Sequence, residues 1–89
     1  MPKTFCDIED RMGPLTKAER RAAEIGFEAG ELSALRKSKV LDARPLGERS
    51  RMSWLFLANR VGLDESDEDQ ESAYVMAWRL GREVALEMA

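Results

Sequence analysis

The sequence predicts an all-α fold. Apolar residues recur every three or four positions over three long stretches. Thr16-Lys17-Ala18-Glu19 is a capping box, the strongest helix start in the chain. No stretch alternates apolar and polar residues for long, and no Asn-Gly or Asp-Gly pair marks a hairpin. The expected architecture is a small bundle of three main helices, at about 16–35, 48–61 and 67–88, plus a short amino-terminal helical turn at about 5–12. Its 89 residues make one small domain, 1–89, with a thin core.

Residues 1–14 read as an arm or lid. Thr4 can cap a short turn, and Phe5, Ile8 and Met12 share one side of it. That spacing favours a lid over the core. Gly13-Pro14 ends the turn.

The first main helix carries an apolar stripe of Ala18, Ala22, Ile25, Ala29 and Leu32. Beside it runs a smooth strip of Ala22, Gly26, Gly30 and Ser33. A glycine inside a helix costs about 1 kcal/mol relative to alanine. Two glycines one turn apart therefore point to a close approach by another backbone. Packing within the chain explains the strip more simply than a ligand groove does.

Residues 38–47 form a connector in which Val40 and Leu41 can tuck inward. Pro45 disfavours helix at Arg44, and Gly47 reads as a second break. The second helix follows, and Gly62 closes it. Its middle, Met52-Ser53-Trp54-Leu55-Phe56-Leu57-Ala58, is apolar nearly all round. Such a helix is either central to a core or shared with a partner. One neighbouring helix cannot cover every side of it, which leads to the expectation of a homodimer or a bound target.

Residues 62–72 are an acidic linker into the last helix. Ser66, with Asp69 three residues on, reads as its cap, and the acids of its first turn suit the helix dipole. Asp64, Ser66 and Glu68 imitate alternating calcium ligands, but the turn glycine of a calcium loop is missing. The last helix has a seam of Tyr74, Ala77, Trp78, Gly81, Val84, Ala85 and Met88, widened by Met76 and Leu80. Residues 22–31 can be laid on residues 73–82, so that Phe27 matches Trp78 and Gly30 matches Gly81. That likeness suggests two helices meeting through similar small-and-aromatic surfaces.

Composition narrows the chemistry. Histidine is absent, which removes Ser-His-Asp and Cys-His catalysis and His-ligated zinc. Cys6 is the only cysteine, so one chain cannot build a cysteine zinc site or a disulfide. The expectation is a non-enzyme with no cofactor and no metal site. The lone thiol, the polar amino terminus and the lack of a long apolar run lead to a cytoplasmic expectation with no membrane span.

Net charge is −3, unevenly spread. Residues 32–60 are basic and residues 61–89 acidic. The acids Asp64, Glu65, Asp67, Glu68, Asp69 and Glu71 are candidates to contact a partner's basic site. The bases Arg36, Lys37, Lys39, Arg44, Arg49 and Arg51 are the alternative set. The two regions can equally satisfy each other. Gly26, Gly30, Trp54, Leu55, Phe56, Trp78 and Gly81 are expected to serve helix packing or a dimer contact.

Gly26-Phe27-Glu28-Ala29-Gly30, followed by Arg36-Lys37-Ser38-Lys39, Pro45, Arg49-Ser50 and Trp54-Leu55, resembles ribosome modulation factor over roughly residues 20–60. The resemblance implies a small helical fold that binds the small ribosomal subunit. It would make the basic set phosphate contacts and Phe27 and Trp54 packing aromatics. Backbone contacts of that kind weaken steeply with salt.

Two partner classes follow. One is a protein or nucleoprotein target, bound and occluded by a small inhibitor or adaptor. Phages and mobile elements make many small acidic helical proteins of this type, including anti-CRISPR proteins and modulators of host enzymes. The other is ribosomal RNA, reached through residues 36–51. The net acidity favours the first.

Overall fold

The computed structural model describes residues 5–36 and 45–88. Over that span the chain is all-α. It forms α1 (Phe5–Met12), α2 (Lys17–Leu35), α3 (Leu46–Leu57), a 3-10 turn (Asn59–Val61) and α4 (Glu68–Met88). The expected Val40 and Leu41 contacts lie outside the described residues, as do Lys37, Lys39 and Arg44.

Local sequence signals set the helix ends. The Thr16 hydroxyl accepts from the Glu19 N–H at 3.1 Å, and the Glu19 carboxylate accepts from the Thr16 N–H at 2.9 Å. Both halves of the capping box are formed. Gly13 and Gly62 adopt φ of +83° and +77°, the left-handed conformation that closes a helical segment.

Three sequence expectations need correction. Gly47 is not a break: it lies in the first turn of α3, which begins at Leu46 directly after Pro45. Proline before a first turn gives up no helical hydrogen bond, so the helix starts there. At the other end the regular helix stops at Leu57, and the segment up to Gly62 tightens into the 3-10 turn. The cap of α4 is also one residue later than expected. Asp67, not Ser66, accepts from the Asp69 and Gln70 N–H groups, at 3.0 and 3.1 Å. Ser66 instead donates its N–H and hydroxyl to Asp64, which folds the turn before the helix.

The fold is organised by α2 and α4. An added Cβ on Gly26 would stand 2.5 Å from the Tyr74 carbonyl oxygen. On Gly30 it would collide with the Trp78 carbonyl, and on Gly81 with the Phe27 carbonyl. These glycines let two backbones touch. Their conformational cost is offset by the close dispersion contact that this approach allows.

Gly26 faces Tyr74 and Gly30 faces Trp78, so α2 and α4 run in the same direction. α3 runs back between them in the chain. Its early residue Arg49 reaches Ser33 near the end of α2, whereas Arg21 near the start of α2 reaches the Val61 carbonyl beyond α3.

The likeness between residues 22–31 and 73–82 is a structural relationship. Gly30 on Trp78 and Gly81 on Phe27 are the same contact with the helices exchanged. The pair has an approximate two-fold relation, and it swaps faces. Ala22, Ile25 and Ala29 join Tyr74 and Trp78 in one apolar cluster, closed by Trp54, Ala58 and Leu63. Their counterparts Ala73, Met76 and Leu80 join Ala23 and Phe27 in the other, closed by Ile8 of α1. α3 therefore covers one face of the α2–α4 pair and α1 the other. Ile8 is buried, so α1 packs on the core at that residue.

Candidate functional site

α3 is amphipathic by placement rather than by composition. Trp54 is fully buried at its centre. Its ring lies 5.4 Å from the Tyr74 ring, and its indole N–H donates to the Glu65 carbonyl at 3.3 Å. Ser53 and Tyr74 share a hydroxyl–hydroxyl hydrogen bond of 2.5 Å. Burial pushes the Tyr74 hydroxyl above its ordinary pKa, and the Ser53 bond pulls it partly back.

The opposite side of the same helix is open. Met52, Leu55 and Phe56 are 44%, 47% and 59% exposed. They follow i, i+3, i+4 spacing and form one strip. Leu32 at the end of α2 lines the same groove as Met52 and Phe56, and Leu35 nearby in sequence is exposed. Between the two helices lies a groove of about 530 Å³, with Leu32, Met52, Phe56, Leu57 and the Trp78 edge in its walls. Single exposed apolar residues are ordinary; these share one strip beside the groove.

Cations border this face. Arg36 lines the groove at the end of α2. Arg60 lies over the Phe56 ring, 3.9 Å from its centre. Arg49 is different. It is buried, donates to the Ser33 hydroxyl at 3.2 Å, and stands 5.7 Å from the Trp78 ring centre.

The structure separates the expected packing-or-dimer residues. Gly26, Gly30, Gly81 and Trp54 are used inside the chain, and the buried Trp78 also lines the groove. Leu55 and Phe56 are outside. Met52, Leu32, Leu35 and Arg60 belong with them, although none of these was singled out from sequence as a site residue. The signal was present: the glycines assign one side of α2 to α4, which leaves Leu32 and Leu35 elsewhere.

The charged sets are divided as well. Among the acids, Asp64 folds its turn with Ser66, and those hydrogen bonds hold its carboxyl below the usual range. Asp67 caps α4 and Glu71 pairs with Arg51 at 3.4 Å. Glu65, Glu68 and Asp69 have exposed side chains. Among the bases, Arg49 is internal and Arg51 is spoken for by Glu71, so the two charged regions do meet. Arg36 and Arg51 are the described members exposed to solvent, Arg51 while paired with Glu71.

Among the described residues, every buried side-chain polar atom has a hydrogen-bond partner, and no three His, Cys, Asp or Glu side chains converge as a metal-binding group. No described helix is long and apolar enough to cross a membrane. No family model matches the sequence, and no curated protein or solved structure is detectably similar to it.

Proposed function

We propose that the chain is a non-catalytic, cytoplasmic interaction protein, an inhibitor or adaptor that seats another protein on the outer face of α2 and α3 and occludes that partner's surface. One observation carries the reading: α3 hides Trp54 while leaving Met52, Leu55 and Phe56 outside, continuous with Leu32. Completing the burial of each half-exposed side chain contributes about 1 kcal/mol. Several together supply the apolar centre of an interface. The acidic turn supports this surface less well, because Asp64, Asp67 and Glu71 already have structural partners.

Affinity capture from a lysate tests the reading. The tagged chain, its Phe56→Ser variant and its Glu68→Gln variant are compared with and without nuclease. The reading expects a protein retained by the wild type and by Glu68→Gln, lost with Phe56→Ser, and indifferent to nuclease. Nuclease-sensitive retention of ribosomal RNA, unaffected by Phe56→Ser, contradicts it and favours the contact implied by the ribosome modulation factor resemblance. A dimer of the chain that dissociates in Phe56→Ser, with nothing else retained, makes the face a self-association surface.

A further inference from the structure

We infer that the groove between α2 and α3 takes an amphipathic helix from a partner protein, with acidic residues toward both of its ends. This rests on the docking face proposed above and names what occupies it.

The shape and the charge agree. α3 has 12 residues, and at 1.5 Å per residue it makes one wall of about 18 Å. α2 runs antiparallel to it as the second wall, set by the Arg49–Ser33 and Arg21–Val61 contacts at the two ends. The lining between is mostly apolar, with Ser33, Ser53 and the buried Arg49 set in it. A cleft with two antiparallel helical walls and a mostly apolar lining is the form that holds a third helix through i, i+3, i+4, i+7 side chains.

Cations mark both ends. Arg36 stands at the end where α2 finishes and α3 begins. Arg60 stands at the other, over Phe56, and Arg21 reaches the same end through the Val61 carbonyl. Glu28 of α2 and Glu48 of α3 are exposed acids on the same two helices, and Glu48 is already engaged within the chain. Arg36 at one end, and Arg60 with Arg21 at the other, favour an occupant with carboxylates there.

A second copy fits less well. Two-fold pairing of this face would set Arg36 and Arg60 against the same residues of the other copy. The acid-rich turn before α4 carries no exposed large apolar side chain among its described residues.

The test is a displayed library of helical peptides of about 14 residues, long enough to span the groove. Apolar residues are fixed at i, i+3, i+4 and i+7, and the flanking positions are randomised. Binders to the full chain are selected and counter-selected against Phe56→Ser and, separately, Met52→Ser. Circular dichroism checks that both variants fold. Selected peptides should be enriched several-fold in Asp and Glu at both ends. Their affinity should fall with salt, and Arg36→Glu with Arg60→Glu should reverse the preference toward Lys and Arg. Face-dependent peptides without an acidic bias overturn this inference while leaving the docking face intact. Peptides bound equally by wild type and both variants overturn the docking face as well. A wild-type dimer in sedimentation, lost in Phe56→Ser, overturns the partner helix in favour of a second copy.

Discussion

Gly30 packs against the backbone carbonyl of Trp78, so closely that no side chain fits between them. Through the approximate two-fold relation of the pair, Gly81 meets the Phe27 carbonyl in the same way. This reciprocal contact places α2 and α4 side by side and leaves α3 to cover one face alone. The exposure of Met52, Leu55 and Phe56 follows from that geometry.

Gly30→Ala forces the helices apart, because the obstructing atom is backbone and cannot rotate away. The helix-propensity gain of about 1 kcal/mol is outweighed by overpacking, for a net loss of about 2 kcal/mol. In a domain of this size that lowers the melting temperature by about 10 °C. Gly47→Ala makes the contrast. An added Cβ there meets only the end of the Arg79 side chain, at 3.0 Å, which can move aside. That variant should gain up to about 1 kcal/mol. Thermal denaturation of the two separates a packing glycine from a dispensable one.

Neighbouring positions on α3 should behave in opposite ways. Trp54→Ala empties the core and costs about 3–5 kcal/mol, enough to unfold much of a small domain. Leu55→Ser should change stability by no more than about 0.5 kcal/mol while abolishing partner capture. Denaturant melts read beside the capture assay distinguish the two roles.

Tyr74→Phe removes the bond to Ser53 and should cost about 1–2 kcal/mol at neutral pH. The raised pKa of Tyr74 fixes the sign of an alkaline effect. Its stabilising contribution is complete below the unfolded-state value near 10.0 and is lost as pH rises through the folded value. The advantage of wild type over Tyr74→Phe should therefore narrow as pH rises past about 10. Denaturation of both proteins across that range checks it.

Asp67→Ala should cost about 1 kcal/mol by uncapping α4, and Ser66→Ala less. The comparison checks the corrected cap by thermal denaturation.

Helix positions were legible because local signals agreed. Thr16 and Glu19 close their box, and Gly13 and Gly62 sit at segment ends with positive φ. The role of Gly26 and Gly30 was legible too, since a paired helix-breaking residue needs a reason. What the sequence could not supply was orientation. An all-round apolar α3 does not say which side is inward, and only Trp54 against Tyr74 decides it. Charge misled for a similar reason. Arg49 and Arg51 look like free cations in the sequence, yet one packs near Trp78 and the other pairs with Glu71. Gly47 was misread because a glycine in a first turn looks like one in a loop.

A photocrosslinking amino acid placed at position 55, and separately at position 68, tests the functional account most directly. With the native partner bound, position 55 on the open side of α3 should crosslink to it, and position 68 in the acidic first turn of α4 should not. Crosslinking from position 68 with none from position 55 would contradict the account and move the interaction to the acidic turn.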